Sequence, residues 1–425
     1  MLYTQCRPCL IVLESFIGQG ILPTMKILKA YRFRLRRNAA KEKKMARQAG
    51  CSRFVWNEAL ARQKERLGNK ERLFSYVEIA NQLPGWKKKW PFLASVHSQP
   101  LQQKLKHLDR ALKDAFNPKQ PKKFPRFKKR GRNDSFTYPQ GFKIDEKNSR
   151  VCLPKIGWVR YRSSRTVEGK PKNPTVSLRG KHWYVSIQTE MEIGEPKHPS
   201  VTEIGIDMGV AKFATLSSGE TLAPLNSFRK HETSLAKSQK KLSRKKKYSK
   251  NWRKQKVEVS RIHIRVADAR KDFLHKASTT ISKNQAVVYL EDLKVSNMSA
   301  SAKGTEEEPG RNVKAKAGLN KSILDQGWFE FRRQLEYKQK WRGGEVVVVE
   351  PRYTSQTCSA CGNVDRASRQ SQELFECVRC GYEENADINA AKNILRAGRA
   401  RMACGSNSNG SRKQEPTERE VSAVA

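Results

Sequence analysis

Residues 358–395 read CSACGNVDRASRQSQELFECVRCGYEENADINAAKNIL, and the architecture around them follows from how they are read. Two CxxC pairs, Cys358 with Cys361 and Cys377 with Cys380, stand fifteen residues apart. That spacing matches a tetrahedral four-thiolate zinc site in which each pair bends around the metal as a tight knuckle. Gly362 and Gly381 follow the second cysteine of each pair, where the knuckle calls for a positive φ. Two disulfides or idle thiols are the alternative. They fit less well, because the other five cysteines, Cys6, Cys9, Cys51, Cys152 and Cys404, show no framework spacing. Such cysteine usage fits a reducing cytosol. A zinc whose four ligands all come from the protein has no open position for catalysis. It is therefore read as structural, and the chemistry must lie elsewhere.

Working outward, Asn385 is placed to cap the helix that follows the second knuckle, and Asp387 falls in its first turn. Ala390, Ala391 and Ile394 lie three, four and seven positions on, so Asp387 shares the face that packs on a sheet. Upstream, EVVVVEP at 345–351 and AVVYLEDL at 286–293 pattern as strands, the latter with Glu291 at its C-terminal end. IGIDMG at 204–209 and the AKFATLSSG after it pattern as strand, turn, strand, with Asp207 ending the first. Between them a helix is expected around 322–342, and 299–321 is expected to be a polar loop that orders when a partner binds. Asp207, Glu291 and Asp387 thus sit on separate elements of one α/β core. Each alone has an ordinary structural reading, at a strand end, before a turn or in a first helical turn. Converging, they are the hard oxygen ligands that two Mg²⁺ ions need to activate a water and stabilise the leaving oxygen of a phosphodiester.

Charge names the partner. Lys and Arg total 86 against 41 Asp and Glu, a net charge of +45 over 425 residues, so a polyanion is implied and nucleic acid is the usual one. A membrane surface is disfavoured, because there is no run of 18 apolar residues and the basic segments lack a continuous apolar face. Between Arg229 and Lys256 there are 13 Lys or Arg, among them Lys240, Lys241, Arg244, Lys245, Lys246 and Lys247, and a single acid, Glu232. This predicts a positive stripe along one helix or a helical hairpin, for phosphate contact or merely as a solvated face. Val259, Ile262, Val266, Ala269, Phe273, Ala277 and Ile281 continue it as an amphipathic helix.

In KAYRFRLRRN at 29–38, Tyr31, Phe33 and Leu35 alternate with Arg32, Arg34 and Arg36. A strand here buries the former and presents an arginine row, either to grip phosphates or to protect a sheet edge. Residues 40–118 pattern as helices, with Leu101, Leu105, Leu108, Leu112 and Phe116 at intervals of three and four. Phe54, Trp56, Trp86 and Trp90 are assigned to this core. After the hinge NPKQPKKFPRFKKRGR, short alternating runs such as VSLRG and WYVSIQTE predict a small antiparallel domain up to about Pro199. If the arginine-row strand pairs with it, the helical block is an insertion in a barrel. Residues 1–24 lack a basic n-region, and Glu14 interrupts their apolar stretch, so they are read as an extension outside the fold rather than a secretion signal.

GIDMG at 205–209, YLEDL at 289–293, TSQTCSACG at 354–362, CGYEENADINAAKNIL at 380–395, GCSRFVWN at 50–57 and DFLHKAST at 272–279 together resemble the TnpB (OrfB) proteins of bacterial insertion sequences. The resemblance runs from Met25 to about Arg396. It implies an α+β and α/β multidomain fold: a wedge-like β-barrel (25–39 and 119–200) with an inserted helical recognition lobe (40–118), then a RuvC-like nuclease of the RNase H fold (201–353). A four-cysteine zinc ribbon (354–384) precedes the last nuclease helix (385–397). Residues 398–425 are expected to be a disordered tail on composition. The resemblance further implies an RNA-guided DNA endonuclease similar to type V CRISPR effectors, with catalytic residues Asp207, Glu291 and Asp387. Its partners would be a guide RNA made from the transposon end, target double-stranded DNA and an element-encoded transposase, and it would work in the cytoplasm at the nucleoid. A transposase performing strand transfer and a non-catalytic nucleic-acid-binding regulator are the competing functions.

Overall fold

The computed structural model describes residues 24–119, 122–131 and 133–404, so the expected extension, apart from Thr24, and the sequence after Cys404 lie outside the described residues. There are two compact units, one up to Glu195 and one from Pro196.

In the first unit, β1 (Thr24–Arg34) pairs antiparallel with β7 (His182–Gly194), in register from Thr24 opposite Gly194 to Arg34 opposite Tyr184. β6 (Lys170–Arg179) and β2 (Ser135–Thr137) extend that sheet, while β3 (Lys143–Asp145), β4 (Arg150–Leu153) and β5 (Gly157–Arg160) form a second. A single bridge, Leu35 to Tyr161, links the ends of β1 and β5. Tyr31, Phe33 and Leu35 are buried in one core with Phe136, Tyr161 and Trp183, as the alternation predicts. The expected barrel is not closed among the described residues: the order β1-β7-β6-β2 leaves both outer strands of the larger sheet without a second partner strand. Three residues of β2 are too few to carry a sheet round to β1.

Between β1 and β2 run α1 (Ala39–Gly68), α2 (Tyr76–Ala80), α3 (Leu83–Lys89) and α4 (Ser98–Ala115), so the helical block is an insertion between the two outer strands of one sheet. Asn38 caps α1, accepting from the Lys41 N–H at 3.0 Å. Leu101, Leu105, Leu108 and Leu112 bury against Trp56 and Trp86, with Phe54 and Trp90 packed alongside. Phe116 breaks the pattern. It lies just past the end of α4 and is exposed, because the periodicity outlasts the helix.

The second unit is built on a five-stranded sheet in the order β10-β9-β8-β11-β12, comprising β8 (Glu203–Asp207), β9 (Ala214–Leu216), β10 (Thr221–Leu222), β11 (Val287–Glu291) and β12 (Glu345–Val349). β8, β11 and β12 are parallel, and β9 and β10 fold back antiparallel. α5 (Ser227–Ser243) and α6 (Lys250–Asn284) form the expected hairpin. α7 (Val295–Met298), α8 (Val313–Gln326) and α9 (Trp328–Arg342) follow β11. The stretch expected as loop to residue 321 is therefore helical from Val313, and the single helix expected to residue 342 is broken at Gly327, which is left-handed. On α6, Ala269 is exposed, and Leu274 and Ser278 take the buried face instead. Beyond β12 come β13 (Leu374–Glu376) and β14 (Glu383–Asn385), which pair, and α10 (Ala386–Ala403), which continues past the expected tail boundary at residue 398.

Candidate active site and metal centre

Strand parity places the three acids. Side chains at i and i+2 share a sheet face, so Glu203, Gly205 and Asp207 project together from β8, as do Val287, Tyr289 and Glu291 from β11. That face is the one α10 covers. Arg399 of α10 donates to Glu203 at 2.7 Å, and the Tyr289 hydroxyl contacts the Met402 sulfur. α10 runs antiparallel to the strands, bringing its first turn, with Asp387, to the strand ends bearing Asp207 and Glu291. Close approach depends on Gly205. A Cβ there would sit 2.2 Å from the Ala391 carbonyl oxygen.

The electrostatics match this convergence. Burial pushes the Asp207 carboxyl up to about 7, with Glu291 and then Asp387 adding to the shift and Arg369 opposing it. Burial also raises Glu291, opposed by the Thr354 hydroxyl, which donates to its Oε1 at 2.6 Å. Asp387 is flanked by cations, Lys212 Nζ at 3.4 Å and Arg369 Nη2 at 3.7 Å. Asn385 accepts from the Asp387 and Ile388 N–H groups and so fixes the helix start, as its position predicted.

The four cysteines also meet. Their Sγ atoms all lie within 4.8 Å of one another, with Cys361 to Cys377 at 3.6 Å and Cys358 to Cys380 at 3.8 Å. Ligands ~2.3 Å from a tetrahedral zinc stand about 3.8 Å apart, whereas a disulfide needs about 2 Å. The cluster is thus compatible with zinc. Gly362 (φ 78°) and Gly381 (φ 67°) take the left-handed turns, and their N–H groups donate to the Cys358 and Cys377 carbonyls. By the same 4.8 Å measure these four are the only such group among the described residues, so the three acids stand further apart than one shared ligand shell.

Of the basic residues singled out in the sequence, Arg32 stacks over the Tyr184 ring at 4.3 Å and Arg34 donates to the His182 ring at 2.9 Å. Arg36 is exposed and lines a concavity with Arg34, Arg37 and Arg162. On the α5–α6 hairpin, Lys240, Lys241, Arg244, Lys246 and Lys247 are exposed, and Lys245 is half-buried. Glu232 pairs with Lys321 at 2.8 Å, outside the stripe. No helix among the described residues is long and apolar enough to cross a membrane.

Residues 185–302 match a family model described as a probable transposase, 25–72 a helix-turn-helix domain and 328–394 a Cas12f1-like TNB domain. The chain is 54% identical over 398 residues to a putative RNA-guided DNA endonuclease, InsQ, of Escherichia coli strain K12, covering 93% of this chain and 98% of that one. The chain belongs to the TnpB (OrfB) family. A putative RNA-guided DNA endonuclease of Streptomyces pristinaespiralis is 33% identical over 387 residues, covering 89% and 92%. Among solved structures, a Cas12f1–sgRNA–target DNA complex is similar at a TM-score of 0.33 and 17% identity, over 87% of this chain and 99% of that one.

Several residues of this candidate site in the TnpB-family chain carry no signal of their own in the sequence. Thr354, Lys212 and Arg369 reach the acids only through the fold. Asn389 and Asn393, buried on α10, donate to the Thr357 carbonyl at 2.8 and 2.6 Å, and Asn389 accepts from the Ser359 N–H, tying the first knuckle to the helix that carries Asp387. The TSQTCSACG run contains the groups they hold, which is the one hint of a role.

Proposed function

We propose that the chain is an RNA-guided, Mg²⁺-dependent DNA endonuclease encoded by a mobile element. Asp207 and Glu291 at the ends of adjacent strands, with Asp387 in the first turn of the helix that covers them, in a chain so similar to a putative RNA-guided DNA endonuclease, carry the reading. The mixed five-stranded sheet, with a cysteine cluster between β12 and α10, suits a RuvC-like nuclease of the RNase H fold with an inserted zinc ribbon. In this reading residues 25–39 and 119–200 are the wedge domain, 40–118 the recognition lobe and 201–353 the nuclease core. The ribbon spans 354–384, and its structural zinc is held by Cys358, Cys361, Cys377 and Cys380.

The donor set fits magnesium: three hard carboxylates, one of them pushed up to about 7 by burial and by its acidic neighbours, a disfavour of the charged form that a divalent cation relieves. Bound there, Mg²⁺ would supply Lewis-acid stabilisation of the phosphodiester and an activated water. The chain's own residues do the positioning. Thr354 orients Glu291, Asn385 and the ribbon contacts fix Asp387, and Lys212 and Arg369 hold the Asp387 carboxylate. The partners are a guide RNA from the transposon end, target double-stranded DNA gripped partly by Arg32, Arg34, Arg36 and the hairpin cations, and an element-encoded transposase. Such partners place its work in the cytoplasm, at the nucleoid.

The test is sequencing of the copurifying RNA followed by cleavage of matching DNA. Asp207→Ala or Glu291→Ala should abolish cleavage and leave DNA binding nearly intact. Cleavage by Asp207→Ala above a few per cent of wild type would sink the assignment, and joined rather than cut products would point to strand transfer.

A further inference from the structure

The turn at the tip of the α5–α6 hairpin, residues 244–249, and the first turn of α6 together carry an aromatic pair that the proposed nuclease chemistry does not use. Tyr248 is 66% exposed and sits in the left-handed region at φ 69°, a conformation that a bulky L residue rarely adopts. Its ring centroid lies 5.5 Å from that of Trp252, the planes tilted by 58°. Lys247 Nζ is 5.5 Å from the Tyr248 centroid and Lys256 Nζ 4.9 Å from that of Trp252. Arg244, Lys246 and Lys247 are exposed and form no ion pair among the described residues.

A local explanation exists. Ser249 caps α6 by accepting from the Trp252 N–H at 3.1 Å, and an apolar residue just before a cap often staples the first turn. A staple buries its side chain. Tyr248 instead keeps two-thirds of its surface open, in a backbone conformation that Asn or Gly would hold more easily. The cap itself uses only the serine hydroxyl. An exposed ring kept at an unfavourable φ, beside a second ring and between unpaired cations, is the arrangement of a stacking platform in an electrostatic groove.

We propose that Tyr248 and Trp252 stack on an unpaired nucleobase whose flanking phosphates lie on the tip cations. The inference rests on the nucleic-acid reading above, and it divides the tip's work in two. The cations supply the salt-dependent, base-independent part of binding. The rings supply a part that needs a base and is indifferent to salt. The base belongs either to the guide RNA or to a separated DNA strand.

The experiment uses the full chain freed of nucleic acid and fluorescence anisotropy on short labelled single strands of RNA and DNA, each with an abasic counterpart. Tyr248→Asn, which suits the left-handed turn, and Trp252→Ala should weaken binding of base-bearing strands about five- to a hundredfold. The slope of log affinity against log salt should not change, and the loss should vanish on abasic strands. Tyr248→Phe should behave as wild type, and Tyr248→Asn should melt no lower than wild type. A loss seen with RNA alone assigns the base to the guide, and one seen with DNA alone assigns it to the target. An equal loss on abasic strands, no loss at all, or a lowered melting temperature for Tyr248→Asn overturns the inference and leaves the nuclease reading standing. A wild-type chain that binds no strand overturns both.

Discussion

Asp207 is held where its charge is least welcome. Its carboxyl is raised from the ordinary range to about 7 by burial first and by two neighbouring acids second, so the folded state holds this proton more tightly than the unfolded chain does. The contribution to stability is therefore greatest below the unfolded value near 4, falls as pH rises to about 7 and is flat above. In metal-free protein, Asp207→Asn should raise the melting temperature at pH 8 by roughly a few degrees and change little at pH 4. Mg²⁺ should stabilise wild type and not the variant, and a lower melting temperature for Asp207→Asn at pH 8 would contradict this account. Thr354 works in the opposite direction on its neighbour. Thr354→Val removes the hydroxyl donated to Glu291, leaving a buried carboxylate short of a partner. Cleavage should fall about tenfold or more with DNA affinity unchanged, and the acid limb of the rate profile should move to higher pH. The acids were legible in the sequence because strand ends and a helix cap mark them locally. Thr354, Lys212 and Arg369 were not, since nothing near them in the chain says that they will meet an acid.

Elements meet closely here because small residues let them. With the Ala391 carbonyl oxygen 2.2 Å from where a Gly205 Cβ would stand, Gly205→Ala must push α10 off β8. We expect a destabilisation of about 1–3 kcal/mol from overpacking, and cleavage falling further than the melting temperature suggests, because Asp387 moves with the helix. The ribbon is the other support of α10. Cys377→Ser should lower zinc stoichiometry and melting temperature together, since the binding energy of a structural zinc is folding energy. Zinc measured by mass spectrometry at one per chain in that variant would mean the ligand set is wrong. Helical periodicity was readable where a helix has one neighbour, as in the leucines of α4. It failed on α6, which packs first on α5 and then on α9. The buried stripe rotates between the two, exposing Ala269 and burying Leu274 and Ser278. The expected loop also failed at α8, where polar residues and Gly318 mask good helix formers such as Ala315, Ala317 and Leu319. Pairing of the arginine-row strand with the small β domain could be read from its alternation. Whether the sheet closed could not, because closure depends on the length and bend of β2.

At the scale of the whole molecule, the excess of 86 cations over 41 acids is left for a polyanion to neutralise. The 13 cations between Arg229 and Lys256 make no ion pair among the described residues, and their one acid is taken by Lys321. Replacing Lys240, Lys241, Lys245 and Lys246 by Gln should flatten the plot of log affinity against log salt by up to about four times a per-contact slope of roughly 0.7 to 0.9. An unchanged slope for both RNA and DNA would make the stripe a solvated face. The order of the acids along the chain has a further consequence. Asp207 and Glu291 leave the ribosome on paired parallel strands well before Asp387, which comes only with α10 after the cysteine cluster has been made. A nascent chain, or one truncated anywhere before that helix, carries two acids and no third. On the proposed reading, the enzyme cannot cut until α10 has been made and docked, and the fold itself serves as the safety catch.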